Sequence, residues 1–157
     1  MSTREAIIAC ARGWLGTPYH HQASVKGAGC DCLGLIRGVW RQLYGPEPEA
    51  MPAYTRDWGN ATGSETLIAA ACRHLKKLDD VRNALPGDVL VFRMRDGGVA
   101  KHAGVLSALP RFAPLERDGS TELASMIHGQ EGLGVVEIPL GRWWLRRAVA
   151  AFRFPSL

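Results

Sequence analysis

The chain has 157 residues, 46% of them hydrophobic and 22% charged, which fits one domain built around one core. Its longest apolar stretches, such as Ala69–Cys72 and Ala148–Phe152, fall far short of a bilayer span, so no membrane insertion is expected. The formal charge of +4 suits an anionic surface, but the basic residues are dispersed and no nucleic-acid-binding signature appears, so no nucleic-acid partner is expected.

Ser2-Thr3-Arg4-Glu5 is a capping box. Behind it Ile7, Cys10, Ala11 and Trp14 recur at helical spacing until Gly16 and Pro18 stop the helix. No basic region followed by an apolar run opens the chain, so it does not read as a signal peptide and a cytoplasmic origin is expected. A second helix is predicted from about Asp31 to Tyr44, with Cys32, Leu35, Ile36, Val39, Trp40 and Leu43 as its stripe. Gly45-Pro46 ends it, and the prolines and glycines of residues 45–63 predict a loop. A third helix is predicted from about Ser64 to Leu78.

The pattern then turns to strands. Pro86-Gly87-Asp88 is a turn and Val89–Phe92 a strand. Further strands are predicted over His102–Ala108, Glu122–His128, Leu133–Ile138 and Arg147–Phe154, with a loop around Pro110, Pro114 and Asp118-Gly119. Trp143 and Trp144 are expected to alternate between core and solvent at the start of the last strand, although the Gly141–Arg147 composition also suits a docking surface. Helices first and strands later, with short links, predict an α+β domain with a mostly antiparallel sheet. Cys10 and Cys72 occupy apolar helical positions and are expected as buried free thiols. Cys30 and Cys32 are too close for a relaxed disulfide, and no disulfide framework is evident.

Cys32 stands where the Gly-rich segment Lys26-Gly27-Ala28-Gly29 gives way to a helix. The unpaired N–H groups and dipole of a helix start favour a negative charge, which predicts a lowered thiol pKa and a reactive thiolate. His102 opens an apolar strand and is the candidate base; His128 ends another and is the candidate group that orients the His102 ring through its second nitrogen. A cysteine at a helix start followed by two histidines on later strands is the order of Cys-His-polar triads on papain-like folds.

Four segments carry a resemblance to the NlpC/P60 cysteine peptidases: Trp14-Leu15-Gly16-Thr17-Pro18-Tyr19, Gly29-Cys30-Asp31-Cys32-Leu33-Gly34-Leu35, Leu85-Pro86-Gly87-Asp88-Val89-Leu90-Val91-Phe92 and Lys101-His102-Ala103-Gly104-Val105. The resemblance implies a papain-like fold, with N-terminal helices on a sheet of about five to six strands. It also implies cleavage of peptidoglycan stem peptides after a D-γ-glutamyl residue. Carried over, Cys32 is nucleophile, His102 base and His128 the third residue, Tyr19 lies near the oxyanion site, and no cofactor is required. Asp31, Arg56 and Trp58 become candidate substrate contacts.

Within the family, Pro52-Ala53-Tyr54-Thr55-Arg56-Asp57-Trp58 resembles a segment of the peptidases encoded with phage tails and gene transfer agents. That implies tail-protein partners and a particle that carries the enzyme to the wall. Two departures stand out. Leu33 replaces a serine that, with the preceding aspartate, helps relatives bind a free amino terminus, and Leu109–Thr121 reads as an insertion. Three rival readings remain: a zinc site among Cys30, Cys32, His20, His21, His102 and His128, which the Cys-x-Cys spacing disfavours; a structural tail-tip part with a vestigial site; and an amidase or acyltransferase of the same fold.

Overall fold

The computed structural model describes residues 1–51, 65–109 and 124–157. Helix α1 (Thr3–Arg12) begins with the expected capping box: the Ser2 side chain accepts from the Glu5 N–H and the Glu5 side chain accepts from the Ser2 N–H. A two-stranded hairpin, β1 (Ser24–Val25) and β2 (Gly29–Cys30), leads into α2 (Cys32–Tyr44). Then come α3 (Thr66–His74), β3 (Lys76–Lys77) and a 3-10 turn at Val81–Asn83. Strands β4 (Val89–Arg93), β5 (Ala100–Ala108), β6 (Ser125–Gln130) and β7 (Gly134–Pro139) follow, with a short helix α4 (Arg142–Leu145) before β8 (Ala148–Arg153).

Strands β3 to β8 form one sheet in the order β3-β8-β4-β5-β6-β7, with every neighbouring pair antiparallel. This is the α+β architecture that the sequence predicts. The third helix is shorter than predicted: it ends at His74, and Lys76-Lys77 pair with Arg153 and Phe152 of β8 instead of extending it. The tryptophan pair is also corrected, since Trp143 and Trp144 lie on α4 and not at a strand start.

The sheet carries apolar cores on both faces. On one, Ile7, Trp14, Leu35 and Val39 from the helices meet Val89, Val91, Val105, Ile127 and Phe152. On the other, Leu90, Phe92, Leu106, Met126 and Ala151 pack with Leu140 and Leu145. Burial on both faces explains why Val89–Phe92 is a continuous apolar run and not an alternating one.

Asp88, 1% exposed, ties the start of β4 to both ends of the chain. Its carboxylate accepts from the Leu85 N–H at 2.9 Å, from Arg4 at 3.0 Å and from two nitrogens of Arg153 at 3.0 and 2.8 Å. Nearby, the Leu157 N–H donates to Thr3 Oγ1 at 3.2 Å and the Tyr44 hydroxyl to the Pro155 carbonyl at 2.7 Å. Cys10 is half-buried and donates to Gln42 at 3.3 Å. Cys72, expected to be buried, is exposed because its side of α3 faces outward.

Candidate active site

Asp31 is the N-cap of α2, and Cys32 is therefore the first residue of the helix. The Asp31 carboxylate is buried: one oxygen accepts from the Gly34 N–H at 2.7 Å and the other from the Gln22 N–H at 2.8 Å. It holds the loop and the helix start together. Gly34 answers a close approach, since a Cβ there would lie 1.9 Å from the Ala23 carbonyl oxygen. Leu33 is buried in the helix-side core, which accounts for an apolar residue at that position.

The start of α2 enters a gap in the sheet. Pairing between β5 and β6 runs from Ala108 only as far as Val105 and Ile127. Beyond that point β5 stays on β4 and β6 stays on β7. Gly129 of β6 abuts the helix start, where a Cβ would lie 2.9 Å from the Asp31 carbonyl. Across the gap, the Cys32 thiol donates to the Lys101 carbonyl at 3.8 Å, and the Ala103 N–H also reaches the sulfur. The sulfur thus lies against the two peptide groups that flank His102.

His102 Nε2 and His128 Nδ1 are 2.8 Å apart, with the rings nearly perpendicular. The pairing leaves His102 Nδ1 as the nitrogen able to take a thiol proton. It then requires His102 to donate from Nε2 and His128 to accept at Nδ1. His128 is fully buried, and the Gln130 side chain is a hydrogen-bond partner that opposes the lowering of its pKa by burial. The structure thus brings His102 and His128, on β5 and β6, into hydrogen-bond contact.

The charge state departs from expectation. Burial, with the Asp31 carboxylate beside it, pushes the Cys32 thiol up to about 12, against the pull of the Cys32, Leu33 and Ala103 N–H groups. Burial, with His128 beside it, holds His102 down at about 3, and burial lowers His128 to about 4. Both shifts favour the neutral forms of Cys32 and His102. Desolvation outweighs the helix-start effect from which a lowered thiol pKa was expected. Cys30 is buried too, donates to the Asp31 carbonyl at 3.0 Å and is raised to about 12 by its burial.

Tyr19 is half-buried, and its backbone bridges Cys30, two residues before Cys32. Arg56 and Trp58, with the whole Pro52–Trp58 segment, lie outside the described residues. Among the described residues, no group of three or more His, Cys, Asp or Glu side chains is placed to hold a metal ion. Sequence reasoning missed two contributors. Phe92 lies 5.9 Å from the His102 ring, and Trp144 lies 5.4 Å from His102 and 5.2 Å from His128. Phe92 meets His102 only through the β4–β5 pairing and Trp144 comes from the later helix α4, so no local spacing marks them.

The sequence matches no family model and no curated protein. Its backbone is similar to the NlpC/p60 domain of the peptidoglycan hydrolase SagA, with a TM-score of 0.59 at 23% identity over 96% of this chain and 98% of that one. The fold is that of the NlpC/P60 domains. An NlpC/P60 family protein from Bacillus cereus ATCC 10987 gives a TM-score of 0.61 at 21% identity, over 96% of this chain and 40% of that protein. NlpC1 from Trichomonas vaginalis gives 0.60 at 19% identity, over 99% and 45%. The chain therefore spans less than half the length of the Bacillus and Trichomonas proteins, and nearly all of the SagA domain.

Proposed function

We propose that this chain is a cysteine peptidase that hydrolyses the amide bond after a D-γ-glutamyl residue, before diaminopimelate, in peptidoglycan stem peptides. The observation that carries the reading is the Cys32 sulfur at a helix start, set against the peptide groups around His102, whose ring is bound by His128. The NlpC/P60 fold and the four sequence motifs support the choice of substrate. The Pro52–Trp58 resemblance supports delivery by a phage tail or gene transfer agent particle, with tail proteins as partners.

In this mechanism the thiol proton moves to His102 Nδ1 as Sγ bonds to the amide carbonyl carbon. Burial favours the neutral thiol and the neutral imidazole, so in this reading transfer accompanies attack. His128 holds the His102 ring through Nε2 while the ring is charged. The Cys32 N–H at the helix start stabilises the oxyanion, a donor worth about 3 kcal/mol of barrier, with Tyr19 as a second candidate. The carbon–nitrogen bond then breaks, His102 returns the proton to the leaving amine, and water hydrolyses the thioester to restore the thiol.

Mass spectrometry of fragments released from purified sacculi tests this reading. Wild type is expected to release peptides cut after D-glutamate, and Cys32→Ala none while keeping its circular dichroism spectrum. Equal release by the variant would remove Cys32 from the chemistry.

A further inference from the structure

We propose that Trp144 is a positioning residue whose indole shields the His102–His128 hydrogen bond and fixes the ring that serves Cys32. The proposal deepens the peptidase reading and rests on it for its functional meaning. Four rings meet at this point. Trp144 lies 5.4 Å from His102 at 33° between planes, close to a stacked arrangement. It meets His128 edge-on at 5.2 Å and 81°, and Phe92 edge-on at 5.2 Å and 73°.

Phe92 is fully buried on β4 opposite His102, so it forms a fixed backstop. Trp144 is only half-buried, comes from a four-residue helix and sets its indole against both imidazoles. A hydrogen bond between neutral imidazoles competes poorly with water unless water is kept away. Trp144 is the group placed to exclude it. Trp143, 49% exposed, packs edge-on against Trp144 at 4.9 Å, and Arg147 both lies over the Trp143 ring at 3.9 Å and donates to its carbonyl. These contacts brace α4 from outside.

The titratable and charged groups around the pair are Cys32 and Asp31 at the start of α2, Lys101 on β5, Arg93 on β4 and Arg147 after α4. Arg93 is paired with Glu65 at 2.7 Å and Arg147 is held on Trp143. The environment of His102 is therefore governed by what covers it.

NMR titration of the imidazole protons in the free protein tests the proposal without substrate. Trp144→Ala is expected to raise the His102 midpoint by about one unit as water returns, and to speed exchange of the shared N–H proton. Hydrolysis should lose about tenfold in kcat with KM little changed. Trp144→Phe should restore both readouts in large part. Trp144→Leu keeps apolar bulk without a ring, and it should raise the midpoint if the alanine variant does not fold. An unmoved midpoint and unmoved exchange in a folded Ala or Leu variant would overturn the role of Trp144. A moved midpoint in a protein that cleaves no wall peptide would uphold that role and overturn the peptidase reading instead.

Discussion

His102 and His128 reach the native state at about 3 and about 4, against an ordinary value of 6.5, while Cys30 and Cys32 stand at about 12 against 9.0. Between pH 6.5 and about 4 the unfolded chain therefore binds more protons than the folded one, and stability falls as the medium is acidified. Between pH 9 and 12 the unfolded thiols release protons that the folded ones keep, and stability falls again as pH rises. A thermal midpoint measured against pH is expected to hold level from about 6.5 to 9 and decline on both sides, with a shallower acid limb in His128→Gln. Cys32, His102 and His128 stand out in the sequence as candidates because each sits inside a short motif or a chain order. Their protonation does not, because it depends on how deeply Phe92, Trp144 and the helix start enclose them, and those parts meet only in the folded chain.

The opening between β5 and β6 turns these groups into a site, and it depends on one residue without a side chain. Gly129 brings β6 against the Asp31 carbonyl and the Cys32 N–H, with room for no Cβ. Gly129→Ala is expected to push the helix start away from β5 and lower kcat/KM by about a hundredfold, since a shift near 1 Å at the reacting atoms has that effect. The thermal midpoint should fall only modestly, and unchanged kinetics would show that the gap tolerates a methyl group. Strands β4, β5 and β8 were legible from their apolar runs, and α2 from its stripe. Strand β3 was not: Lys76 and Lys77 have little strand preference, and only the unpaired edge of β8 makes them one. The short helix α4 was hidden for a related reason, since four residues rich in tryptophan and arginine carry no helical period.

At the scale of the molecule, Asp88 gathers α1, the β4 turn and β8 onto one buried carboxylate. The Pro-Gly-Asp segment was readable as a turn before a strand, but its two arginine partners, 84 and 65 residues away, were not. Asp88→Ala is expected to strip Arg4 and Arg153 of their shared anion and destabilise the protein by about 3 kcal/mol, read from urea denaturation. A loss below about 1 kcal/mol would mean that the three elements are held by apolar packing alone. Because residues 3 and 157 touch, the first and last turns of the backbone emerge side by side. Any module fused at either extremity would be tethered at a single spot on the surface, beside α1 and β8 and remote in sequence from the cysteine and histidine motifs. A circular permutant that joins the two ends by a short bridge and opens the chain at another exposed loop would then keep the Cys32, His102 and His128 cluster and exchange only its point of attachment.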